Sequence, residues 1–218
     1  MIEMRLVIKI GGSLSIGKDG PKKEYFRRLL PVLKELDKNN QLIISIGGGR
    51  FIRKYYKAVE KLDLTPEQME WIAIELLRVN VRFLSFLLNK NSIFTLQEMG
   101  KNTSGVIGGI RPGRSTDANA AYAAGVIEAD YFVKLTNVNG IYDKDPKRYK
   151  NAKKLNHISF DQLKKYASDG KPGKYGVLDK LAIETVAKNR IKTVVMNGKN
   201  PSDLLRLLDG EKVGTLIS

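Results

Sequence analysis

Three times in this sequence an apolar run ends on glycine, and that repetition restricts the fold more than any other feature. Arg5–Ile10 runs into Gly11-Gly12-Ser13, Gln41–Ile46 into Gly47-Gly48-Gly49, and a third run ends at Gly108-Gly109. A short apolar, β-rich run that stops at glycine reads as a buried strand entering a tight turn. The segments after the first two turns carry a different period. Across residues 22–37, Phe26, Leu29, Leu30, Leu33 and Leu36 recur at three- and four-residue steps, giving a helix with one buried stripe that Pro31 is expected to kink. Residues 51–62 predict a second helix carrying Ile52, Tyr55, Tyr56 and Val59. Thr65-Pro66-Glu67-Gln68 joins an N-cap threonine, a proline at the first helical position and a glutamine closing a capping box, so a long helix should run toward Leu88.

Beyond a less patterned stretch at residues 89–102, the sequence predicts a small-residue helix over 117–126, a strand over 131–135 and a polar loop over 136–145. A short helix over 160–167, a Gly- and Lys-rich loop over 168–175 and a helix over 178–189 follow. A strand at 193–196, a helix at Asp203–Leu208 and a closing edge strand at 214–217 end the chain. Strands alternating with helices predict an α/β fold of three layers, α/β/α, with a mainly parallel central sheet and ligands at the carboxyl ends of its strands. At 218 residues the chain can bury one core, so a single domain over 1–218 is expected, with room for two lobes on it.

Charge and composition remove several function classes. The net charge of +15 suits a polyanion or a phosphorylated small molecule, but the Lys and Arg residues are scattered without a dense basic run or aromatic ladder, so nucleic acid is not the expected partner. No cysteine is present, which removes disulfides, thiolate nucleophiles and cysteine metal sites. The single histidine, His157, rules out a histidine-rich metal cluster and is expected in a loop before a helix. No apolar stretch approaches a membrane span, and the start lacks an apolar run behind a basic one, so a cytoplasmic location without membrane contact is expected.

The glycine turns suggest chemistry on phosphates. Phosphoryl transfer needs donors for the phosphates, cations for developing charge and in-line geometry. A glycine at a strand end lets the backbone approach a phosphate, and the next N–H groups point at it. None of the three turns is a Walker P-loop or a Rossmann G-x-G-x-x-G, so each alone also fits a plain tight turn. Lys9 would bring an ammonium to the first turn, or simply reach solvent. Ser13 could cap the next segment or bind phosphate. Thr116 and Asp117 could be only an N-cap pair, the commoner fate of such residues.

The motifs taken together are more specific. Lys9-Ile-Gly-Gly-Ser13, Gly47-Gly-Gly49, Ser115-Thr-Asp117 and Thr136-Asn-Val-Asn-Gly-Ile-Tyr-Asp-Lys-Asp-Pro146 resemble the amino-acid kinase family, and within it the archaeal-type UMP kinases. The resemblance runs through Leu178-Asp179-Lys-Leu-Ala182 to Val213-Gly-Thr215. It implies a carbamate-kinase-like fold with an acceptor lobe over about 1–129 and an ATP lobe over about 130–218, and transfer from ATP to UMP. By position, Lys9, Gly11 and Gly12 would stabilise the transferred group, while Gly48, Gly49, Arg53, Glu70 and Thr116 would hold the acceptor. Gly11, Ser13, Thr136, Asn137, Tyr142, Asp145 and Asp179 would hold ATP, and Asp117 would orient cations or Mg²⁺ brought with it. Tyr142 also fits a core position, and Asp179 a helix-dipole role. A homo-oligomer, hexameric by resemblance, is implied as well.

Several positions depart from the family pattern. Glu70 stands where such UMP kinases usually carry a ribose-binding aspartate, Asn139 replaces an aspartate, and Lys180 and Glu184 replace a proline and a lysine. Residues 89–102 are shorter than their counterpart. Isopentenyl phosphate kinases, relatives with a different phosphorylated acceptor, place a histidine just after the second glycine turn, where this chain has Arg50-Phe51-Ile52-Arg53. A non-catalytic nucleotide sensor on the same fold is the other alternative.

Overall fold

Strand residues that are apolar on both faces must be covered from both sides. In the computed structural model, which describes residues 3–168 and 176–218, the chain begins with β1 (Arg5–Ile10), α1 (Gly12–Ser15), α2 (Lys23–Asp37) and β2 (Gln41–Ile46). It continues with α3 (Gly49–Val59), α4 (Pro66–Leu88), β3 (Ser92–Ile93), β4 (Gly105–Ile107), α5 (Thr116–Val126) and β5 (Tyr131–Thr136). Short strands β6 (Ile141–Tyr142), β7 (Lys154–Leu155) and β8 (His157–Ile158) precede α6 (Phe160–Leu163) and β9 (Ala167–Ser168). The last elements are β10 (Leu178–Asp179), α7 (Lys180–Lys188), β11 (Thr193–Asn197), α8 (Asp203–Leu208) and β12 (Thr215–Ile217).

Eight strands form one sheet in the order β3-β4-β2-β1-β5-β11-β12-β8, parallel throughout except between β11 and β12. The two-residue period of a strand sorts its side chains between two cores. Val7, Ile43, Phe132 and Val195 pack on one face, with the alanines of α5 and with Ile183 and Val186 of α7. Leu6, Ile8, Ile44, Val133 and Val194 pack on the other, with Phe26, Leu29 and Leu33 of α2 and Val81 and Leu84 of α4. Lys9 therefore shares its parity with Val7 and faces α5. The alanines of α5 let that helix sit close to the sheet, which brings its first turn to Lys9.

The capping box forms as read: Thr65 Oγ1 accepts from the Gln68 amide at 3.2 Å, and the Gln68 side chain accepts from the Thr65 amide at 2.9 Å. Helix α2 runs unbroken through Pro31. Of the four apolar positions on α3 only Ile52 is buried; Tyr55 and Tyr56 are exposed.

Other expectations need correction. The closing strand is not an edge, because β12 pairs with β11 on one side and β8 on the other, and His157 lies in that edge strand rather than in a loop. The helix expected from 178 starts at Lys180, since Leu178 and Asp179 pair with Ala167 and Ser168. The helix over 160–167 is α-helical only to Leu163 and closes as a 3₁₀ turn. The polar loop after Thr136 contains β6, paired with β7, and the weak stretch 89–102 contains the edge strand β3. Apart from Ser168, the Gly- and Lys-rich loop at 168–175 lies outside the described residues.

Candidate functional site

Parallel registration sets Ile10 beside Ile46 and Ser45 beside Ile107, so the three glycine turns leave the sheet along one edge. The first two are in contact. A Cβ on Gly12 would lie 2.4 Å from the Gly49 amide nitrogen, and one on Gly49 would lie 2.4 Å from the Ile16 carbonyl oxygen, with φ of Gly49 at +64°. Neither position can carry a side chain unless backbone moves. Gly12→Ala is expected to destabilise the fold by about 1–3 kcal/mol, as overpacking does, and to pry the turns apart. Thermal denaturation and ligand binding on the purified variant would check this.

The third turn faces the second across a cavity of 570 Å³ lined by Gly48, Gly49, Arg53, Glu70, Gly109 and Thr116. Two arginines not singled out from the sequence, Arg111 and Arg114, join them there. Arg114 is held in place: its Nε donates to Asn119 Oδ1 at 3.0 Å and its guanidinium lies over the Tyr122 ring. Arg53 and Arg111 have no ion-pair partner among the described residues. Glu70 accepts from the Gly113 amide at 2.6 Å, so its carboxylate both lines the cavity and ties down the loop after the third turn.

Between this cavity and the rest of the edge lies a buried charge cluster. Lys9 and Lys134 are paired neighbours on β1 and β5. Lys9 Nζ stands 3.0 Å from Asp117 Oδ1, and Lys134 Nζ 2.5 Å from Asp117 Oδ2; the three side chains are 8%, 12% and 16% exposed. Burial alone would raise the Asp117 pKa, but Lys134 and then Lys9 hold the carboxyl down to about 2. Burial lowers the Lys134 pKa against the pull of Asp117. The N-cap of α5 is Ser115, which accepts from the amides of Asp117 and Ala118, and not Thr116 or Asp117. That arrangement leaves the Asp117 carboxylate to the two lysines.

On the far side of the cluster Thr136, Asn137 and Asp145 line a cavity of 230 Å³ with Lys134 and Lys147. Asn137 also borders a cavity of 420 Å³ with Ser13, Arg50 and Lys199. Tyr142, half-buried on β6, does not line the 230 Å³ cavity. Asp179 is the N-cap of α7, accepting from the Ala182 amide at 3.0 Å, and it also accepts from the Ser115 hydroxyl at 2.5 Å, so it reaches the cluster through α5. Gly11 departs from its expected part: its amide donates to the Leu135 carbonyl at 2.9 Å and is not open to a ligand. The amides of Gly12 and Ser13 have no backbone acceptor among the described residues.

Sequence reasoning quoted Ser115 within a motif without giving it a role, and gave none to Lys134, Arg111 or Arg114. A signal for Lys134 existed: it sits two residues before Thr136 in a strand, as Lys9 sits two before Gly11, and parallel neighbours place such lysines side by side. Among the described residues no group of three carboxylate or histidine side chains could hold a metal by itself. His157 borders a separate cavity, on the β8 side of the sheet. With no histidine base and no thiol, the edge has the chemistry of anion handling: open amides, two ammonium groups and one carboxylate between two cavities, the first of them apolar along Ile52, Ile74 and Leu77 and cationic at its arginines.

Comparison with known proteins agrees with this geometry. The family model described as "Amino acid kinase family" matches residues 4–97 and 58–197. The uridylate kinase of Thermococcus kodakarensis is 33% identical over 224 residues, covering 98% of this chain and 99% of that protein. The uridylate kinase of Methanocaldococcus jannaschii is 34% identical over 225 residues with the same coverage. The crystal structure of uridylate kinase from Archaeoglobus fulgidus superposes with a TM-score of 0.81 at 30% identity, covering 99% of this chain and 100% of that one. UMP kinase from Bacillus anthracis, 20% identical, shares the fold with a TM-score of 0.78. Full-length likeness of this order makes this chain a member of the amino acid kinase family.

Proposed function

We propose that this protein is an ATP-dependent uridylate kinase that converts ATP and UMP to ADP and UDP. The observation that carries the reading is the contact of the first two glycine turns, the arginine-lined cavity that the second shares with the third, and the Lys9–Asp117–Lys134 cluster, whose Lys134 lines a second cavity. The lobe assignment draws support from the same arrangement: the 570 Å³ cavity is lined by residues up to Thr116, the 230 Å³ cavity by residues from Lys134 onward. In this reading the first holds UMP, its phosphate against Arg53 and Thr116, and the second holds the ATP end near Thr136, Asn137 and Asp145.

The chemistry needs no general base. A phosphate monoester with a second pKa near about 6 is mostly dianionic at neutral pH, so a UMP phosphate oxygen can attack the γ-phosphorus directly. The new P–O bond forms as the bond to the β,γ-bridging oxygen breaks, and charge spreads over the three equatorial oxygens. Lys9 and the open amides of Gly12 and Ser13 offset that charge. Mg²⁺ would arrive with the triphosphate, and Asp117, whose buried Oδ1 lacks a well-directed hydrogen bond, is the carboxylate that would meet it; a single carboxylate plus phosphate oxygens is a usual Mg²⁺ environment.

The departures from pattern leave this centre intact. Asn139 accepts from Asn197 Nδ2 at 2.7 Å, a bond an aspartate would also accept, and Lys180 and Glu184 pair with each other at the surface at 3.8 Å. Those contacts weigh against a non-catalytic sensor. Exposed Tyr55 on α3, with Trp71, Val79 and Phe86 on α4, supports a self-association surface for the homo-oligomer, and a cytoplasmic enzyme fits a chain in which no described helix could cross a membrane.

A coupled ADP-release assay across UMP, CMP, carbamate, acetylglutamate and isopentenyl phosphate tests the reading, with UMP expected as the preferred acceptor. Turnover with another acceptor and none with UMP would end the UMP assignment. Loss of a charge-assisted bond costs about 1.5–3 kcal/mol, so Arg53→Ala should raise the KM for UMP about ten- to hundredfold with a smaller change in kcat.

A further inference from the structure

The α2 face of the sheet, which Lys9 turns away from, carries a set of cations that the reaction does not use. The 420 Å³ cavity bordered by Ser13 and Asn137 is also lined by Lys22, Arg28, Arg50 and Lys199. None of these four has an ion-pair partner among the described residues. Lys22 Nζ donates to the Ser13 carbonyl at 2.7 Å, and Arg28 Nε makes one long bond of 3.4 Å to the Glu24 carbonyl. The one acid on the wall, Glu24, is engaged by Arg27 at 2.6 Å. Four like charges around one hollow repel each other, and an anion seated among them removes that cost.

A buried group calls for the same kind of ligand. Tyr25 lines the cavity and is only 5% exposed, and its hydroxyl is shut off from solvent without a hydrogen-bond partner among the described residues. Burial pushes the pKa of that hydroxyl up against the pull of the Arg28 charge, so the phenol keeps its proton. A buried hydroxyl left unpaired is costly, and the guanidinium beside it can only donate. We propose that this cavity is a second anion site, which takes a di- or triphosphate group among Lys22, Arg28, Arg50 and Lys199, with the Tyr25 hydroxyl donating to one of its oxygens. A single phosphate carries at most about two negative charges against four positive ones, which favours the longer group. The site shares Asn137 with the donor cavity but contains none of Lys9, Asp117 and Lys134. The Lys22–Ser13 bond ties it to the first glycine turn, so its occupant bears on that turn without entering the donor cavity. Nothing in it depends on which acceptor the enzyme uses.

Calorimetric titration of the full chain with inorganic tripolyphosphate tests the proposal. Wild type is expected to hold an ion that a variant carrying both Arg28→Gln and Lys199→Gln binds about a hundredfold more weakly, while kcat and the KM for ATP measured without tripolyphosphate stay within about threefold. A double variant that binds tripolyphosphate as wild type does overturns the proposal. So does a parallel hundredfold rise in its KM for ATP, which would make the cavity part of the donor site. Both residues are exposed, and Tyr25→Phe decides if the double variant fails to fold. That change should weaken the same site about three- to tenfold and leave the melting temperature at or above that of wild type, because it deletes an unpaired hydroxyl. Unchanged affinity in Tyr25→Phe overturns the part given to that hydroxyl. Titrations with ATP and with pyrophosphate, read as the difference between wild type and double variant, separate the sources of the ligand. Tighter binding of ATP at this site identifies a nucleotide tail, and tighter binding of an inorganic ion a free oligophosphate.

Discussion

Replacing Lys9 with methionine should lower kcat about 10²–10³-fold, the loss seen when one preorganised donor to a transition-state anion is removed, while the KM for UMP stays nearly unchanged. Lys9 is the cation nearest both the first glycine turn and Asp117, and it lies too deep to steer a ligand from solution. Its charge matters most when the equatorial oxygens gather charge, which is the definition of a kcat effect. Stability should move little. Removing Lys9 leaves Lys134 and Asp117 as a balanced pair at 2.5 Å, so a buried surplus charge disappears together with a favourable contact. Steady-state kinetics and thermal denaturation on the same preparation test both halves; turnover within tenfold of wild type would remove Lys9 from the chemistry.

Asp117→Asn should act in the opposite sense, costing stability as well as turnover. Without the carboxylate, two buried ammonium groups stand on paired residues of adjacent strands with no counter-charge, and breaking a buried pair in this way costs about 3–5 kcal/mol. For a chain of this size that is a fall in Tm of roughly 10 °C. A pH test isolates the cause. The Asp117 carboxyl has an ordinary value of 3.8 and a folded value of about 2, so its contribution is fully present above pH 4 and is lost as pH falls toward 2. That shift corresponds to about 2 kcal/mol. The stability gap between wild type and Asp117→Asn should therefore narrow by about that amount between pH 4 and pH 2 in denaturant titrations. A gap that stays constant would mean the carboxylate is not held by the lysines.

Much of this molecule could be read before its structure because the informative signals were local. Arg5–Ile10 and Gln41–Ile46 are bounded by glycine and apolar on both faces, and the Thr65 capping box is complete within four residues. Long-range pairing was not legible. Whether β12 is an edge depends on β8, a two-residue strand about 57 positions away whose sequence carries no strand signal. The site shows the same division. Lys9 stood next to a glycine turn and drew attention, while Lys134 lay inside an otherwise apolar strand and gained meaning only from its neighbour. Thr116 and Asp117 were read as the cap pair, but the cap lies one residue earlier at Ser115, a one-residue boundary that residue types alone do not decide. Gly11 was assigned an open amide that the Leu135 carbonyl in fact occupies, a contact between strands 124 residues apart.

The touching of Gly12 and Gly49 also bears on how such a protein could acquire a new substrate. With the backbone atoms of one turn seated against the other, the inner wall of the pocket admits no variation, and any drift there would be paid in folding before it altered preference. Descendants with a different appetite would have to be remodelled at the mouth, where Glu70 and the Arg111–Arg114 segment meet. On this geometry a change of preference is expected to come from side chains around the glycine turns and not from the turns themselves.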